Sequence, residues 1–289
     1  MDHPLNSSDL NIPKLLKQVG HHPNKRLGQN FLIDPRYLKR VADAGEIIDQ
    51  DQVLEIGAGV GNLTVLLARK AKQVIAVEID SSLIPILNQV VKTYPNITIV
   101  QGDILELDLL ELVGATSYHV VANIPYYITS KLIRKLMTSS AYPQNVILTI
   151  QNEVADRICA RTGKLSLLGL SVQIFGHPEI KSKIPAAAFY PQPKVDSAIV
   201  RIDRHPIPLI PEEHLASFFL VVKAGFSQKR KTLRNSLSAG LRIDKQITEN
   251  LLQSVRIDAG ERAENLTIEQ WKKLSLEYEK LRSAVDSDN

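Results

Sequence analysis

Residues 123–127 read Asn-Ile-Pro-Tyr-Tyr and directly follow the apolar run Tyr118-His-Val-Val-Ala122. The pattern puts a side-chain amide, a backbone carbonyl, a proline and an aromatic ring at the exit of an expected strand. An exocyclic amine on a planar base calls for these groups: acceptors for its two hydrogens and a flat surface to stack on. Such an amine is a poor nucleophile while its lone pair is delocalised into the ring. Held by the Asn123 side-chain oxygen and the Ile124 main-chain carbonyl, it can turn that lone pair toward an electrophile. Pro125 stiffens the turn through its fixed φ, and Tyr126 is placed to stack on the base. The catalytic work is then orientation and electrostatics. No base is needed early, because an alkylated ammonium sheds its proton to water.

A base must leave its stack to reach such a pocket. The proline-braced segment Ala188-Phe-Tyr-Pro-Gln-Pro-Lys-Val195 offers Phe189 as an exposed ring to cover the second face. Core packing is the competing role for Phe189, and Tyr127 and Tyr190 read as structural neighbours. Alkylation at a pyrimidine C5 would instead require a cysteine nucleophile. The chain has one cysteine, Cys159, set in Arg157-Ile-Cys-Ala-Arg161 within an expected helix over 151–162 and without a preceding proline turn. Its ordinary role is a packed small residue. Amino-group chemistry therefore fits better, and neither a disulfide nor a cysteine metal site is open to this chain. No metal is expected.

The electrophile is read from a second set of residues. Glu55-Ile-Gly57-Ala-Gly59-Val-Gly61 follows one expected strand and precedes a helix. Glycines there let the backbone turn tightly and approach a ligand. The spacing departs from the dinucleotide fingerprint, and no Walker lysine follows. Glu78 ends the next strand roughly 20 residues on, where a carboxylate can accept from both ribose hydroxyls. Asp103 sits just past a third strand, within reach of an adenine amino group, and Asn123 past a fourth. Each taken alone has an ordinary explanation: a structural turn, a surface carboxylate, a turn-forming aspartate. Their ordered recurrence at successive strand ends points to a ligand with adenine and ribose but no obligatory pyrophosphate, namely S-adenosyl-L-methionine.

Positioning these residues requires an α/β fold, a Rossmann-like doubly wound sheet, mostly parallel, followed by a small all-helical domain. Expected strands are 52–56, 74–79, 97–101, 119–122, 146–150 and 198–202, the last a candidate antiparallel edge. A helix over 81–93 is interrupted early by Pro85. Residues 203–213 hold Pro206, Pro208 and Pro211 and read as a linker. Beyond it, Leu215, Phe218, Phe219 and Val222 share one helical face, and 229–240, 245–254 and 267–282 suggest further helices. The expected division is a mobile arm over 1–24, a methyltransferase-type domain over 25–205 and a helical domain over 206–289.

The chain has 289 residues, with 35 Lys plus Arg against 31 Asp plus Glu, hence a net charge of +4. That balance is a weak sign of an anionic partner, and distribution says more. Lys14, Lys17, Lys25, Arg26, Arg36, Lys39 and Arg40 are opposed in sequence only by Asp34. Lys223, Lys229, Arg230, Lys231 and Arg234 have no acid among them. Either cluster is a solvated face or a phosphate-binding patch, and the second is assigned here to RNA. No apolar run approaches a membrane span, and the first residues lack a signal-peptide core, so a cytoplasmic protein is expected.

With these residues in view, the chain resembles the KsgA/RsmA family of ribosomal RNA adenine N6,N6-dimethyltransferases. The resemblance runs through Lys25-Arg-Leu-Gly-Gln-Asn-Phe-Leu32, Glu55–Gly61, Val77-Glu-Ile-Asp80, Gly102-Asp103, Asn123–Tyr126 and Phe189–Val195. It continues through Gly225-Phe-Ser-Gln-Lys-Arg-Lys-Thr-Leu-Arg-Asn235 to Arg262-Ala-Glu-Asn-Leu266. The resemblance implies cofactor contacts at Asn30, Leu32, Gly57, Glu78, Asp103 and Asn123. It implies dimethylation of two adjacent adenines in the 3′-terminal hairpin loop of 16S rRNA, in the immature 30S particle, by a monomer. The rivals are the erythromycin-resistance class acting on 23S rRNA, a non-catalytic RNA-binding assembly factor, and a small-molecule methyltransferase. The segments 226–235 and 262–266 resemble the small-subunit enzymes, the intact Asn123–Tyr126 segment argues for catalysis, and the basic clusters disfavour a small substrate.

Overall fold

The computed structural model describes residues 11–24, 27–114, 117–124 and 128–287. Its contacts divide the chain into two compact units, Met1–Asp156 with His177–Arg204, and Arg157–Gly176 with His205–Asn289.

The first unit is organised by a seven-stranded sheet. In chain order its strands are β2 (Gln52–Ile56), β3 (Gln73–Glu78), β4 (Ile97–Gln101), β5 (His119–Asn123), β6 (Asn145–Gln151), β7 (Gly176–Ile184) and β9 (Ser197–Arg204). In space they run β4-β3-β2-β5-β6-β9-β7, with β4 to β6 parallel and β9 antiparallel to β6. In β2, β5 and β6 nearly every consecutive residue is buried. Successive side chains point to opposite faces, so both faces of this sheet are covered. A two-stranded sheet, β1 (Phe31–Leu32) against β8 (Phe189–Tyr190), completes the strands.

The register decides where the site lies. Ile56 pairs with Val77 on one side and Ala122 on the other, and Glu78 pairs with Gln101. The residues that leave these strands, Gly57, Glu78, Gly102 and Asn123, therefore emerge together at one carboxyl edge, where open α/β sheets bind ligands.

Four findings revise the expectations. First, Ser197–Arg204 is not the sheet edge, because β7 lies outside it. The outer strand alternates buried and exposed residues and places Lys181 and Lys183 in solvent, a charged border that resists further pairing. Second, residues 11–24 are not a mobile arm. Helix α1 (Ile12–Gln18) carries an Asn11 cap and buries Ile12 and Leu16 in a cluster with Leu83, Leu87 and Val90. Residues 1–10 lie outside the described residues. Third, Pro85 does not interrupt a helix. It begins one, α4 (Ile84–Val91), where its missing N–H costs nothing. Fourth, residues 157–176 belong with the C-terminal helices. The N–H of Gly163 donates to the Glu264 carbonyl at 2.9 Å, and that of His205 to Phe175 at 2.9 Å. These contacts join segments far apart in sequence.

The second unit is helical: α8 (Leu167–Gln173), α9 (Leu215–Phe226), α10 (Leu233–Leu241), α11 (Lys245–Ser254) and α12 (Ile268–Ser287). Trp271 is fully buried and stacks on Phe226 at 5.6 Å between ring centroids. The remaining helices, α2 (Pro35–Ala44), α3 (Asn62–Ala68), α5 (Leu109–Val113), α6 (Thr129–Thr138) and α7 (Asn152–Ile158), connect or flank the strands of the first unit. Cys159 follows α7 directly. Among the described residues no helix is long and apolar enough to cross a membrane.

Candidate active site

The glycine turn between β2 and α3 is built on left-handed backbone: φ is +79° at Gly57, +58° at Gly59 and +89° at Gly61. Space is as restrictive as conformation. A Cβ on Gly57 would sit 3.1 Å from the Asn123 carbonyl oxygen, and one on Gly59 would sit 3.2 Å from the Phe31 ring. The cradle is thus closed from two sides and open toward the strand edge.

Glu78 ties the turn to the next strand. Its carboxylate accepts from the Gly59 N–H at 2.7 Å and the Asp80 N–H at 2.8 Å. Burial pushes this carboxyl up from its ordinary range, and the two backbone donors counteract it. Each carboxylate oxygen keeps a further lone pair for an incoming hydroxyl. Asp80, next along, is held below the ordinary range. Burial opposes this, but hydrogen bonds from Ser82 and Gln29 outweigh it.

Beneath the turn lies Glu55, 1% exposed, with neither oxygen hydrogen-bonded, beside an equally unpartnered Thr64 hydroxyl. Burial pushes its carboxyl up to about 8, and the Glu78 charge adds to it. A buried carboxyl without partners is costly.

Two adjoining clefts open at the strand edge. One, with about 580 Å³ of open space, is lined by Asn30, Gly57, Gly59, Glu78, Asn123, Ile124 and Phe189. The other, about 890 Å³, is lined by Gly57, Ile79, Asp103, Ile104 and Ile124. Gly57, Ile79 and Ile124 border both, so one elongated ligand can span them. Carboxyl groups for ribose hydroxyls, apolar walls at Ile79 and Ile104 for a flat base, and the glycine turn for an amino-acid end together fit S-adenosylmethionine.

Asn123 closes β5 with its side chain in the first cleft. Its Nδ2 donates to the Asn30 carbonyl at 3.4 Å, so this bond engages the amide through its donor and not through Oδ1. The Ile124 side chain is buried and lines both clefts. Pro125, Tyr126 and Tyr127 lie outside the described residues, as do Lys25 and Arg26. Asp103 lines the second cleft while its Oδ1 accepts from the Leu105 N–H at 2.9 Å, so it shapes its turn and keeps a second oxygen for a ligand.

Phe189 and Leu32 differ from expectation. Phe189 is 4% exposed, paired with Leu32 across β1 and β8. Its ring lines the first cleft from the core instead of standing out in solvent. The exposed aromatic of that loop is Tyr190. The Leu32 side chain is in the core and lines neither cleft; its carbonyl accepts from Asn62 Nδ2 at 2.7 Å. In the second unit, Lys223, Lys229, Arg230 and Lys231 are exposed, at the end of α9 and in the turn after it. Arg234 is not free. It donates to Glu249 at 3.0 Å and joins α10 to α11.

Sequence reasoning passed over Gln29, Ile79, Ile104 and Glu55. Ile79 and Ile104 each follow a residue already singled out, and Glu55 opens the glycine motif. No local signal marks Gln29.

Comparison with known proteins agrees with this geometry. A family model described as Ribosomal RNA adenine dimethylase matches residues 20–280. Ribosomal RNA small subunit methyltransferase A of Dehalococcoides mccartyi (strain CBDB1) is 43% identical over 255 residues, covering 88% of each chain. That of Alkaliphilus oremlandii is 39% identical over 272 residues, covering 92% of this chain and 95% of the relative. Among solved structures, a dimethyladenosine transferase from Plasmodium falciparum superposes with TM-score 0.75 at 28% identity, covering 86% of this chain and 98% of that one. The 23S rRNA methyltransferase ErmE superposes with TM-score 0.68 at 29% identity, covering 86% and 99%. The chain therefore belongs to the ribosomal RNA adenine dimethylase family, and it is an rRNA adenine dimethyltransferase that draws its methyl groups from S-adenosylmethionine.

Proposed function

We propose that this enzyme dimethylates N6 of two adjacent adenines in the 3′-terminal hairpin loop of 16S rRNA, acting as a monomer on the immature 30S particle during small-subunit biogenesis. The observation that carries the choice of subunit is the near full-length similarity, at 43% and 39% identity, to relatives named small subunit methyltransferase A. ErmE, at 29%, is a more distant likeness.

The chain's residues divide the work. Glu78 and Asp103 receive the ribose and adenine of the cofactor; Asn30, Leu32, Gly57, Gly59 and Asn123 border its methionine end, Leu32 through its backbone. S-adenosylmethionine, when bound, supplies an electrophilic sulfonium methyl. Asn123 Oδ1 and the Ile124 carbonyl accept the two N–H bonds of the adenine amine and turn its lone pair out of conjugation toward that methyl. Pro125 stiffens the turn, Tyr126 stacks on the base, and Phe189 forms the wall behind it. With the amine so held, transfer needs no general base, and the product ammonium loses its proton to water. Lys223, Lys229, Arg230 and Lys231 meet rRNA phosphates.

The test is methylation of purified 30S and 50S particles, with mass mapping of the modified adenines. Dimethylation of two neighbouring adenines near the 3′ end of 16S rRNA is the expected result. Activity confined to 50S particles overturns the assignment.

A further inference from the structure

Gln29 takes no part in the chemistry above, yet both polar atoms of its side chain are committed. Its Nε2 donates to Asp80 Oδ2 at 2.7 Å. Its Oε1 accepts from the Asn24 N–H at 2.7 Å and lies 3.3 Å from His21 Nε2. His21 Nδ1 meets Ser82 Oγ at 3.0 Å, and Ser82 donates its N–H and its hydroxyl to Asp80 Oδ1. Asp80 in turn gives its own N–H to Glu78 Oε1. On the other side, Gln29 immediately precedes Asn30, whose carbonyl receives Asn123 Nδ2. One side chain thus stands between the carboxylate at one end of the site and the catalytic amide at the other.

Gln29 and Asn30 belong to no helix or strand, and Gly28, at φ +59°, adds no stiffness. The Asn30–Asn123 bond is long at 3.4 Å and has little strength to hold the loop in place. A shift of the Gln29–Asn30 backbone would withdraw the Asn30 carbonyl, which belongs to the following Asn30–Phe31 peptide. The Asn123 amide could then turn over and present NH2, a donor, where the acceptor amine needs Oδ1.

We propose that Gln29 is a positioning residue. By clamping residues 27–30 to Asp80 it sets the Asn30 carbonyl, and through it the orientation of the Asn123 amide, against the same aspartate that aligns Glu78. This rests on the role given to Asn123 above.

Gln29→Met keeps the length of the side chain and removes both hydrogen-bonding atoms. The measurements are kcat on 30S particles at saturating S-adenosylmethionine, cofactor affinity by calorimetry, and the thermal midpoint. A misplaced amide should lower kcat by roughly 10- to 100-fold, beyond any change in cofactor affinity. Asp80→Asn should lower kcat in the same sense, and the double variant should be no slower than the slower single one. If kcat at saturating cofactor is unchanged, with only affinity or melting altered, the proposal fails. It fails also if the two losses multiply. Should Gln29→Met not fold, Asp80→Asn decides by the same kcat criterion. Asn123→Ala separates the two ideas: an inactive Asn123→Ala beside a fully active Gln29→Met sinks only the clamp, whereas an active Asn123→Ala sinks the role of Asn123 itself.

Discussion

At the scale of single residues, the site depends on which atom a side chain has left to offer. Asn123 spends its Nδ2 on the Asn30 carbonyl, and in the proposed mechanism its oxygen serves the amine. Replacing it with Ala should abolish methyl transfer while S-adenosylmethionine binding largely persists; equilibrium binding and single-turnover assays on the same sample show the split. Glu55 makes a different kind of prediction. Its carboxyl is raised from 4.5 to about 8 by burial first and by Glu78 second. A raised folded-state value means the folded protein holds the proton while the unfolded chain releases it. The resulting stability is complete below pH 4.5 and is lost as pH climbs through about 8. The thermal midpoint of the cofactor-free protein should therefore fall between pH 5 and pH 8, and Glu55→Gln should flatten that slope. An unchanged slope in the variant would show that Glu55 is not the group responsible. Asn123 and the Glu55 motif were legible from residue type and position. The partner of Asn123 was not, because Asn30 lies 93 residues before it in the chain.

Among elements, two glycines show the difference between a functional and a structural constraint. Gly59 lies at φ +58°, its Cβ position 3.2 Å from Phe31, and its N–H donates to Glu78. Gly59→Ala should cost about 1–2 kcal/mol in backbone strain and also weaken cofactor binding, which calorimetry reads directly. Gly225 is inside α9, where a Cβ would come 2.3 Å from the Trp271 ring. Gly225→Ala should cost about 1–3 kcal/mol through overpacking, seen in denaturant unfolding, with cofactor affinity unchanged. The glycine turn was readable from spacing because turn chemistry is local. The β7 edge strand was not, since its polar, alternating residues are half solvent-facing and lack the apolar run that marked its neighbours. Helix α1 escaped for a related reason: seven residues give too short a period to read, and its stability comes from the cluster it joins.

At the scale of the whole molecule, charge is the available handle on the RNA. Changing Lys229, Arg230 and Lys231 to Ala should weaken binding to rRNA fragments and lower the salt slope by about 2, at roughly 0.7–0.9 per lost phosphate contact. Arg234→Ala should leave that slope alone and lower stability, because its charge is already answered by Glu249. A slope unmoved by the triple change would exclude this turn as an RNA contact. The basic run was plain in the sequence; the acid that removes Arg234 from it lies on another helix.

The amino-acid sequence by itself determined the alternation of strands and helices, the glycine turn, and the order Gly57, Glu78, Asp103, Asn123 at successive strand ends. These follow from apolar period and backbone freedom, which act over a few residues. Only the tertiary structure decided that Phe189 is a buried wall, that residues 157–176 join the helical unit, and that Gln29 and Asp80, 51 residues apart, meet at 2.7 Å. Such outcomes depend on strand register and on burial of polar atoms between distant segments, which no local pattern encodes.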